Sequence, residues 1–408
     1  MAFRLKAPEF PRSPNSESGL TAIETTYYKK SAPPGGAIKS AKGKIDMVAA
    51  NLKRAGNELG AKTTYQLFLE KEGVPAVRGF HIEDINAVDL HPWPRVGGRG
   101  VYLNLEGAEG VNDCFICEIA PGKALEPQKH MFEALVYVVS GRGATTIWQE
   151  GGKKQTFEWG EGALFSPPLN AWYQHFNGQG DKPVRLLAMT NAPTVLNLYH
   201  NIDFVFNCDF RFNDRYAGEE DFFSGQAKIP GEGFHDTNFI RDVRSYELPE
   251  RKDRGAGGKM LMIEMSNNVM SAHISQFPVG TYKKAHRHGA GAHVIILKGE
   301  GFSMVWREGD DIKRYNWRAG SLLVPPERWF HQHFNVGGEP ARYLALKPFS
   351  SRKFPGLRKQ WGTSESVKNG GDQIEYEDED PRIHALFKEE LAKRGVTSQM
   401  GEVFKAAS

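Results

Sequence analysis

Cysteine is scarce in this chain, which has only three among its 408 residues. A small, odd number of cysteines cannot supply a disulfide framework and suits a reducing compartment. Cys114 and Cys117 have the spacing of a metal or redox pair, but no second pair exists and the surrounding residues, NDCFICEIA, are typical of a strand. Packing in a core is the favoured interpretation, with a metal or redox role as the alternative.

Long apolar runs and an excess of charge are also absent. No apolar stretch approaches the roughly 18 residues that span a bilayer, and the opening residues, MAFRLKAPEF, lack the apolar segment of a signal peptide. The net charge of +3 is small for this length, which argues against nucleic acid or an anionic membrane as a partner. We expect a cytoplasmic protein with neither kind of partner.

Glycine and aromatic residues, by contrast, are plentiful. The chain has 44 glycines, 11% aromatic residues and 40% hydrophobic residues, a composition typical of a turn-rich, all-β globular protein. A chain of 408 residues is too long for one ordinary core. Two domains with extensions are therefore expected.

The two domains can be located because one stretch of the sequence occurs twice. The copies share residues in the same order: Gly122, His130, Gly141, Trp148, Trp159, Gly162 and Asn177, then Gly280, His288, Gly299, Trp306, Trp317, Gly320 and Asn335. The differences 280 − 122, 288 − 130, 306 − 148 and 335 − 177 are all 158. A constant offset over about 55 residues indicates one duplicated supersecondary unit.

This repeat sets the expected domain organisation. We expect an N-terminal arm and helical extension at 1–95, a first domain at 96–195, a connector at 196–255, a second domain at 256–348 and a C-terminal tail with a helix at 349–408. The arm is expected to be irregular to about residue 40 and helical at 44–59. Asp380 as N-cap and Pro381 at the first position mark the start of the last helix.

Three histidines of the second copy are candidate metal ligands. His286 and His288 lie two residues apart in a predicted strand, so their side chains point to the same face. His331 lies in a later predicted strand, after a turn at Pro325 and Pro326. Two imidazoles from one strand and one from another give a facial set of neutral ligands that suits a divalent first-row metal.

The first copy has kept only one of these histidines. At the three equivalent positions it has Gln128, His130 and Tyr173. Because a lone histidine does not hold a metal, we predict that the metal site lies in the second domain and that the first domain is structural.

Both copies resemble cupin domains, and the whole chain resembles a bicupin. The first cupin motif is met at every spacing by Gly280, His286, His288 and Gly299, with Ala292 where the motif has glutamate. The second motif is met by Pro326, His331 and Asn335, with Arg328 in place of glycine. The resemblance implies an all-β fold of two tandem double-stranded β-helix, or jelly-roll, barrels with flanking N- and C-terminal helices.

The absent glutamate narrows the activity that the resemblance implies. Oxalate decarboxylases, germins and phosphomannose isomerases retain it, whereas three histidines without glutamate are similar to gentisate 1,2-dioxygenase and its salicylate and hydroxynaphthoate relatives. This similarity implies Fe(II), with Mn, Ni or Zn as alternatives, and oxygen-dependent cleavage of a hydroxylated aromatic acid or enediol-like substrate. Three neutral ligands leave coordination positions for a chelating substrate and dioxygen. Gentisate dioxygenases of this type use the amino-terminal cupin, so a carboxy-terminal site indicates a divergent subfamily.

Two more residues are candidates for a catalytic role. His333 shares a strand face with His331 and is expected to orient substrate or transfer a proton. His175 occupies the equivalent place in the first copy, so a structural role is the alternative. Arg328 is expected to bind a substrate carboxylate through its guanidinium, with simple solvation in a turn as the alternative.

Pocket-lining residues are also predicted. Ala292, Trp329 and Trp306 are expected to border the substrate, although Trp306 has a counterpart in Trp148 and therefore also suits a scaffold role. Ala292 would leave room where a glutamate would otherwise occupy a coordination position.

Two other classes of function are compatible with the sequence. A metal-dependent lyase, isomerase or hydrolase on the same site would need no oxygen, so oxygen uptake separates it from the dioxygenase. A non-catalytic, small-molecule-binding bicupin is the third possibility, but such a protein has no need of three buried imidazoles. In each case a small-molecule ligand and a homo-oligomer are expected.

Overall fold

A computed structural model describes residues 62–108, 110–349 and 363–401. The irregular arm expected to residue 40 and the helix expected at 44–59 lie outside the described residues. Within those three ranges, no helix is both long and apolar enough to cross a membrane.

Strands dominate the described part of the chain. The helices are α1 (Thr64–Glu72), α2 (Ala192–Tyr199), α3 (Ile202–Asn207) and α4 (Pro381–Ala392), and 3-10 turns lie at Glu106–Ala108, Lys252–Arg254, Val367–Asn369 and Tyr376–Asp378. The strands to residue 190 are β1 (Ala76–Val77), β2 (His81–Ile82), β3 (His91–Trp93), β4 (Gly98–Leu103), β5 (Asp113–Ile119), β6 (Ala134–Ser140), β7 (Arg142–Trp148), β8 (Gln155–Gly160), β9 (Leu164–Phe165), β10 (Trp172–Asn177) and β11 (Val184–Thr190). The later strands are β12 (Lys228–Gly231), β13 (Phe234–Asp236), β14 (Phe239–Ile240), β15 (Lys259–Glu264), β16 (Ser271–Phe277), β17 (His293–Lys298), β18 (Glu300–Trp306), β19 (Lys313–Arg318), β20 (Leu322–Leu323), β21 (Phe330–Asn335) and β22 (Ala341–Lys347).

These strands form two barrels, each built from a large and a small sheet. In the first barrel the large sheet has the order β1-β4-β5-β11-β6-β9-β14, with β3 beside β4, and the small sheet has the order β10-β7-β8. In the second barrel the orders are β12-β13-β15-β16-β22-β17-β20-β2 and β19-β18-β21. The central run β4-β5-β11-β6-β9 corresponds strand for strand to β15-β16-β22-β17-β20. The predicted all-β fold of two tandem cupin barrels with flanking helices is confirmed.

Each large sheet is completed by a strand from outside its own repeat. The short strand β2 precedes the first barrel in sequence but pairs with β20 of the second. The strand β14 belongs to the segment between the repeats and pairs with β9 of the first barrel. The same segment supplies β13, which pairs with β15 of the second barrel. The segment between the repeats thus contributes strands to both barrels.

The two large sheets pack against each other through one shared apolar core. The alternation of side chains along β11 shows how this core forms: Leu187 and Met189 belong to it, whereas Leu186 and Ala188 point into the first barrel. In the second barrel Val294 and Ile296 point inward in the same way. The large sheets are therefore buried on both faces.

The two closely spaced cysteines lie in different cores. Cys114 belongs to the core between the sheets and Cys117 to that of the first barrel, and both thiols are free. Burial raises the pKa of Cys117 to about 12, so its thiol stays protonated and unreactive. The packing interpretation fits these positions.

The C-terminal helix covers the outer face of the small sheet of the second barrel. The Asp380 side chain accepts a backbone N–H of the first turn of α4, and Pro381 occupies the first helical position. Phe387 is buried against Phe334 at 5.8 Å between ring centroids, and Phe302 belongs to the same cluster. This face of the sheet is consequently unavailable for a substrate, which leaves the barrel interior.

In each barrel one glycine of the small sheet lies so close to the backbone of a neighbouring strand that no side chain would fit there. A Cβ added to Gly301 would lie 1.9 Å from the carbonyl oxygen of Phe334, and one added to Gly143 would lie 2.0 Å from that of Phe176. Both positions also face a tryptophan ring at 2.5 Å. The two glycines differ by the same 158 residues (301 − 143), so the constraint belongs to the duplicated fold.

Candidate metal centre

The three candidate ligands lie on two paired segments of the second barrel. The backbone N–H of His286 donates to the carbonyl of His331 at 3.1 Å, and that of His331 donates back to His286 at 2.9 Å. His288 follows two residues after His286 and turns to the same side. One ligand atom from each histidine lies within 4.8 Å of the other two. All three side chains are buried, with exposures of 6%, 8% and 2% for His286, His288 and His331.

Each of the three imidazoles is held in one tautomer. The Nδ1 atoms of His286, His288 and His331 lie 3.3, 2.8 and 3.3 Å from backbone carbonyl oxygens. A carbonyl only accepts hydrogen bonds, so Nδ1 carries the proton and Nε2 keeps its lone pair. Burial lowers the pKa of His286 and of His331 well below the usual value, which keeps both rings neutral. Neutral imidazoles with a free Nε2 are the form that binds metals.

The donor set fits a divalent first-row metal. It consists of imidazoles alone, because among the described residues no carboxylate joins the three histidines. Ala292 stands where the cupin motif has glutamate, and its small, buried side chain lines the cavity. A metal bound here would therefore retain positions for exogenous ligands.

In the first barrel the three equivalent residues are all hydrogen-bonded within the protein. Tyr173 donates its hydroxyl to Nε2 of His130 at 2.8 Å, and Nδ1 of His130 donates to the carbonyl of Phe132 at 2.7 Å. The side-chain oxygen of Gln128 accepts from Arg95 at 2.5 Å. The nitrogen lone pair that a metal would need on His130 is already used.

The interiors of the two barrels differ in size. The cavity of the second barrel is about 240 Å³ and contains the three candidate ligands and Ala292 in its wall, whereas that of the first is about 50 Å³. Ligand sites for drug-sized molecules usually span roughly 300–1,000 Å³, so the second cavity suits a small molecule. The first has room for little more than water.

The interiors also differ in polarity at matched positions. The offset of 158 relates Phe115 to His273 and Leu125 to Lys283 (273 − 115; 283 − 125). The strands β11 and β22 are related by an offset of 157 instead, as their pairing with β6 and β17 shows. This offset relates Leu186 to Tyr343 and Thr190 to Lys347. All eight of these residues line their cavities: Phe115, Leu125, Leu186, Thr190, His273, Lys283, Tyr343 and Lys347. Sequence reasoning missed the polar set, although comparing the apolar positions of the two repeats would have found Lys283 and His273.

The lining of the second cavity is basic. Besides the histidines it includes Arg251, Arg254, Lys283 and Lys347, and no aspartate or glutamate is among the described residues that form its wall. Arg254 donates from Nη1 to the carbonyl of Thr363 at 2.5 Å, which ties the C-terminal segment to the rim of the cavity. A cavity of this kind attracts an anion.

His333 lines the same cavity and is oriented by a hydrogen-bond relay. Trp317 donates from Nε1 to Oγ of Ser303 at 3.0 Å, and that hydroxyl lies 2.7 Å from Nδ1 of His333. The first barrel has the same relay, since Trp159 lies 2.8 Å from Thr145, which lies 2.7 Å from His175. Because the relay occurs in both barrels, it belongs to the fold, and it turns Nε2 of His333 away from Ser303.

Ser303→Ala is expected to lower the free energy of unfolding by about 1–3 kcal/mol, because it leaves the buried N–H of Trp317 without an acceptor. Denaturant unfolding measures this. Thr145→Ala in the first barrel should cost a similar amount, and neither variant should lose metal. Loss of metal from Ser303→Ala at unchanged stability would instead place the relay in the metal site.

Arg328 is not among the described residues that line the cavity, and its binding of a substrate carboxylate stays a prediction. Its guanidinium pairs with both carboxylate oxygens of Asp372, at 2.8 and 2.7 Å. Asp372 also accepts from Nε of Arg287 at 3.0 Å. The backbone of Arg328 has a φ of +61°, and the residue joins the C-terminal segment to the turn before β21.

Trp306 and Trp329 do not line the cavity in the described part of the chain either. Trp306 lies opposite Phe330 in the pairing of β18 with β21, and Phe330 is adjacent to His331. Adjacent residues of a strand point to opposite faces, so Trp306 lies on the other face of the sheet from His331. Its ring stacks on that of Phe330 with 5.7 Å between the centroids. Trp329 lies in the turn, 6.1 Å from the ring of Phe80. Strand parity excludes Trp306 from the interior.

His293 faces the other barrel. Its Nδ1 lies 3.2 Å from the side-chain amide of Asn112, across the core between the large sheets. His293 precedes Val294, which points into the cavity, so strand parity directs it away from the candidate metal centre.

Comparison with known proteins gives a short curated match and a wider structural one. No family model matches the chain. Gentisate 1,2-dioxygenase of a Streptomyces species is 40% identical over 62 residues, which are 15% of this chain and 16% of that protein. Bacillus subtilis oxalate decarboxylase is similar over 67% of this chain and 78% of its own, at 15% identity and a TM-score of 0.44. The formate complex of Lactobacillus farciminis oxalate decarboxylase is similar over 66% of this chain and 86% of its own, at 14% identity and a TM-score of 0.45.

The observed strand order and the duplicated motifs describe the same architecture. Two barrels repeat one topology at an offset of 158 residues, and in the described part a cluster of candidate metal ligands occurs in the second barrel. This is the architecture of two tandem barrels that the resemblance to a bicupin implies.

Proposed function

We propose that the chain is a metal-dependent dioxygenase whose second barrel cleaves a chelating hydroxylated aromatic acid or enediol-like substrate. The observation that carries this proposal is the set of three buried imidazoles, His286, His288 and His331, whose ligand atoms lie within 4.8 Å of one another and which no carboxylate of the described residues joins. Fe(II) is the proposed metal, with Mn, Ni or Zn as alternatives.

Each part of the site has a proposed role. His286, His288 and His331 hold the metal, and Ala292 leaves space beside it. When bound, Fe(II) would supply Lewis acidity toward a chelating oxygen pair and a place for dioxygen. His333, whose Nδ1 faces the Ser303 hydroxyl, can offer its Nε2 to a substrate oxygen and so orient it.

Two further observations support an acidic aromatic substrate. The cavity wall is basic and, among the described residues, free of carboxylates, which favours an anionic ligand. The curated match is to a gentisate 1,2-dioxygenase, although it spans about a sixth of that protein. A carboxylate and an adjacent hydroxyl would suit both the basic wall and the open coordination positions.

Oxygen consumption tests the proposal. Protein purified without oxygen and reconstituted with Fe(II) should consume oxygen in step with loss of substrate when offered gentisate, salicylate or 1-hydroxy-2-naphthoate, and His288→Gln should not. Conversion of a substrate without oxygen would instead indicate a lyase, isomerase or hydrolase. Binding without any conversion would indicate a binding protein.

A further inference from the structure

We propose that Lys283 and Tyr343 form an anion subsite in the second barrel, which binds a carboxylate of the substrate separate from its metal-chelating atoms. This inference rests on the proposed function in placing the chelating atoms at His286, His288 and His331. It makes the substrate a hydroxylated dicarboxylate.

The surroundings of Lys283 point to an anionic ligand. Its side chain is buried, with 3% of the residue exposed, and it lines the cavity. Its ammonium donates to the hydroxyl of Ser275 and to that of Tyr343, the latter at 3.1 Å. Within the part of the chain that the structure describes, no carboxylate pairs with it. A buried charge without a counter-charge is costly, and a bound carboxylate offsets that cost.

The fold itself does not require this polar pair. In the first barrel the equivalent residues are Leu125 and Leu186, and they line a cavity of about 50 Å³. The same strands thus close and pack with leucine at both positions. At these two matched positions lysine and tyrosine occur in the barrel that also has the histidine cluster, which links them to the ligand of that barrel.

The pair lies at a distance from the histidines that one small molecule can span. The backbone N–H of Lys283 donates to the carbonyl of His333, whereas that of His286 donates to the carbonyl of His331. His331 and His333 are two residues apart in β21, and two residues of a strand span about 7 Å. This is comparable to an aromatic ring with a substituent at each end.

Other cations of the wall favour the same ligand class. Arg254 and Lys347 line the cavity together with Lys283 and add positive charge to its wall. A monocarboxylate bound through its chelating group would leave Lys283 without a counter-charge. A dicarboxylate supplies one charge at each end.

A matched pair of probes tests the subsite. Salicylate carries the chelating hydroxyl and carboxylate, and 4-hydroxyisophthalate adds one carboxylate para to the hydroxyl. Titration calorimetry on the Zn(II)-loaded protein, in which no oxygenation occurs, should show that 4-hydroxyisophthalate binds about ten-fold or more tightly than salicylate. Lys283→Met should reduce this preference to about two-fold or less, with the metal content of the wild type retained.

Controls separate the subsite from the fold and from the proposed reaction. Lys259→Met, which removes an exposed lysine on β15, should keep the full preference. Equal affinities for the two probes in the wild type, no binding of either, or a preference that survives in Lys283→Met would each overturn the subsite. Failure of metal loading or of oxygen uptake would overturn the proposed function alone.

Discussion

His288→Gln is expected to abolish metal binding, and with it any metal-dependent turnover. Changing a residue that merely orients a ligand costs about 10- to 100-fold in metal affinity, so removing one of three ligands should lower the affinity by more than about 100-fold. His286 and His331 would remain as two ligands, too few to hold a labile divalent ion against buffer. Elemental mass spectrometry after gel filtration measures the metal retained per chain.

The duplication provides a matched control for this variant. His130 occupies the position equivalent to His288 (288 − 130 = 158), is equally buried and hydrogen-bonds to Tyr173. His130→Gln is expected to retain the metal content of the wild type, whatever it costs in stability. Loss of metal from His130→Gln, or retention by His288→Gln, would contradict the assignment of the site to the second barrel.

Glu133→Ala is expected to lower the free energy of unfolding by about 3–5 kcal/mol, the cost of breaking a buried ion pair from one side. The carboxylate of Glu133 precedes β6 of the first barrel and accepts the backbone N–H groups of Val269 and Met270 at 2.9–3.0 Å in the second. It also pairs with Arg215 at 2.8 Å. Its removal leaves two backbone donors and a cation without their shared acceptor, at the junction of the two barrels.

Denaturant unfolding measures this effect, with Glu158→Ala as control. Glu158 is an exposed residue of β8 in the same barrel, and its truncation should change stability by less than about 0.5 kcal/mol. A loss of under about 1 kcal/mol for Glu133→Ala would show that water replaces the carboxylate and that the contact does not couple the barrels.

Much of the fold and the candidate ligand set could be predicted from the sequence, because both depend on periodicities. The offset of 158 residues located the duplicated unit, and the period of two along a strand placed His286 beside His288. These features follow from backbone geometry and need no knowledge of the neighbouring elements.

Features that depend on partners distant in sequence were missed. Arg328 stands in a motif position, but its guanidinium is engaged by Asp372, which lies 44 residues later. The pairing of β2 with the second barrel has no local signature in two residues. Trp306 resembled a pocket residue only because its register against Phe330 was not considered.

The two barrels show how one duplicated unit has come to serve two purposes. In the first, Tyr173, Gln128 and apolar side chains line a small interior, and Tyr173 hydrogen-bonds to the remaining histidine. In the second, small and basic residues keep an open cavity around the three imidazoles. The shared Trp–hydroxyl–His relay is independent of this divergence, because it occurs in both.

Anomalous diffraction at the iron edge from crystals of the Fe(II)-loaded protein tests the central claim most directly, because it locates the metal as well as counting it. We expect one peak per chain, about 2.0–2.2 Å from an imidazole nitrogen of each of His286, His288 and His331. A peak in the first barrel, or full metal loading with no peak between these histidines, would contradict the account.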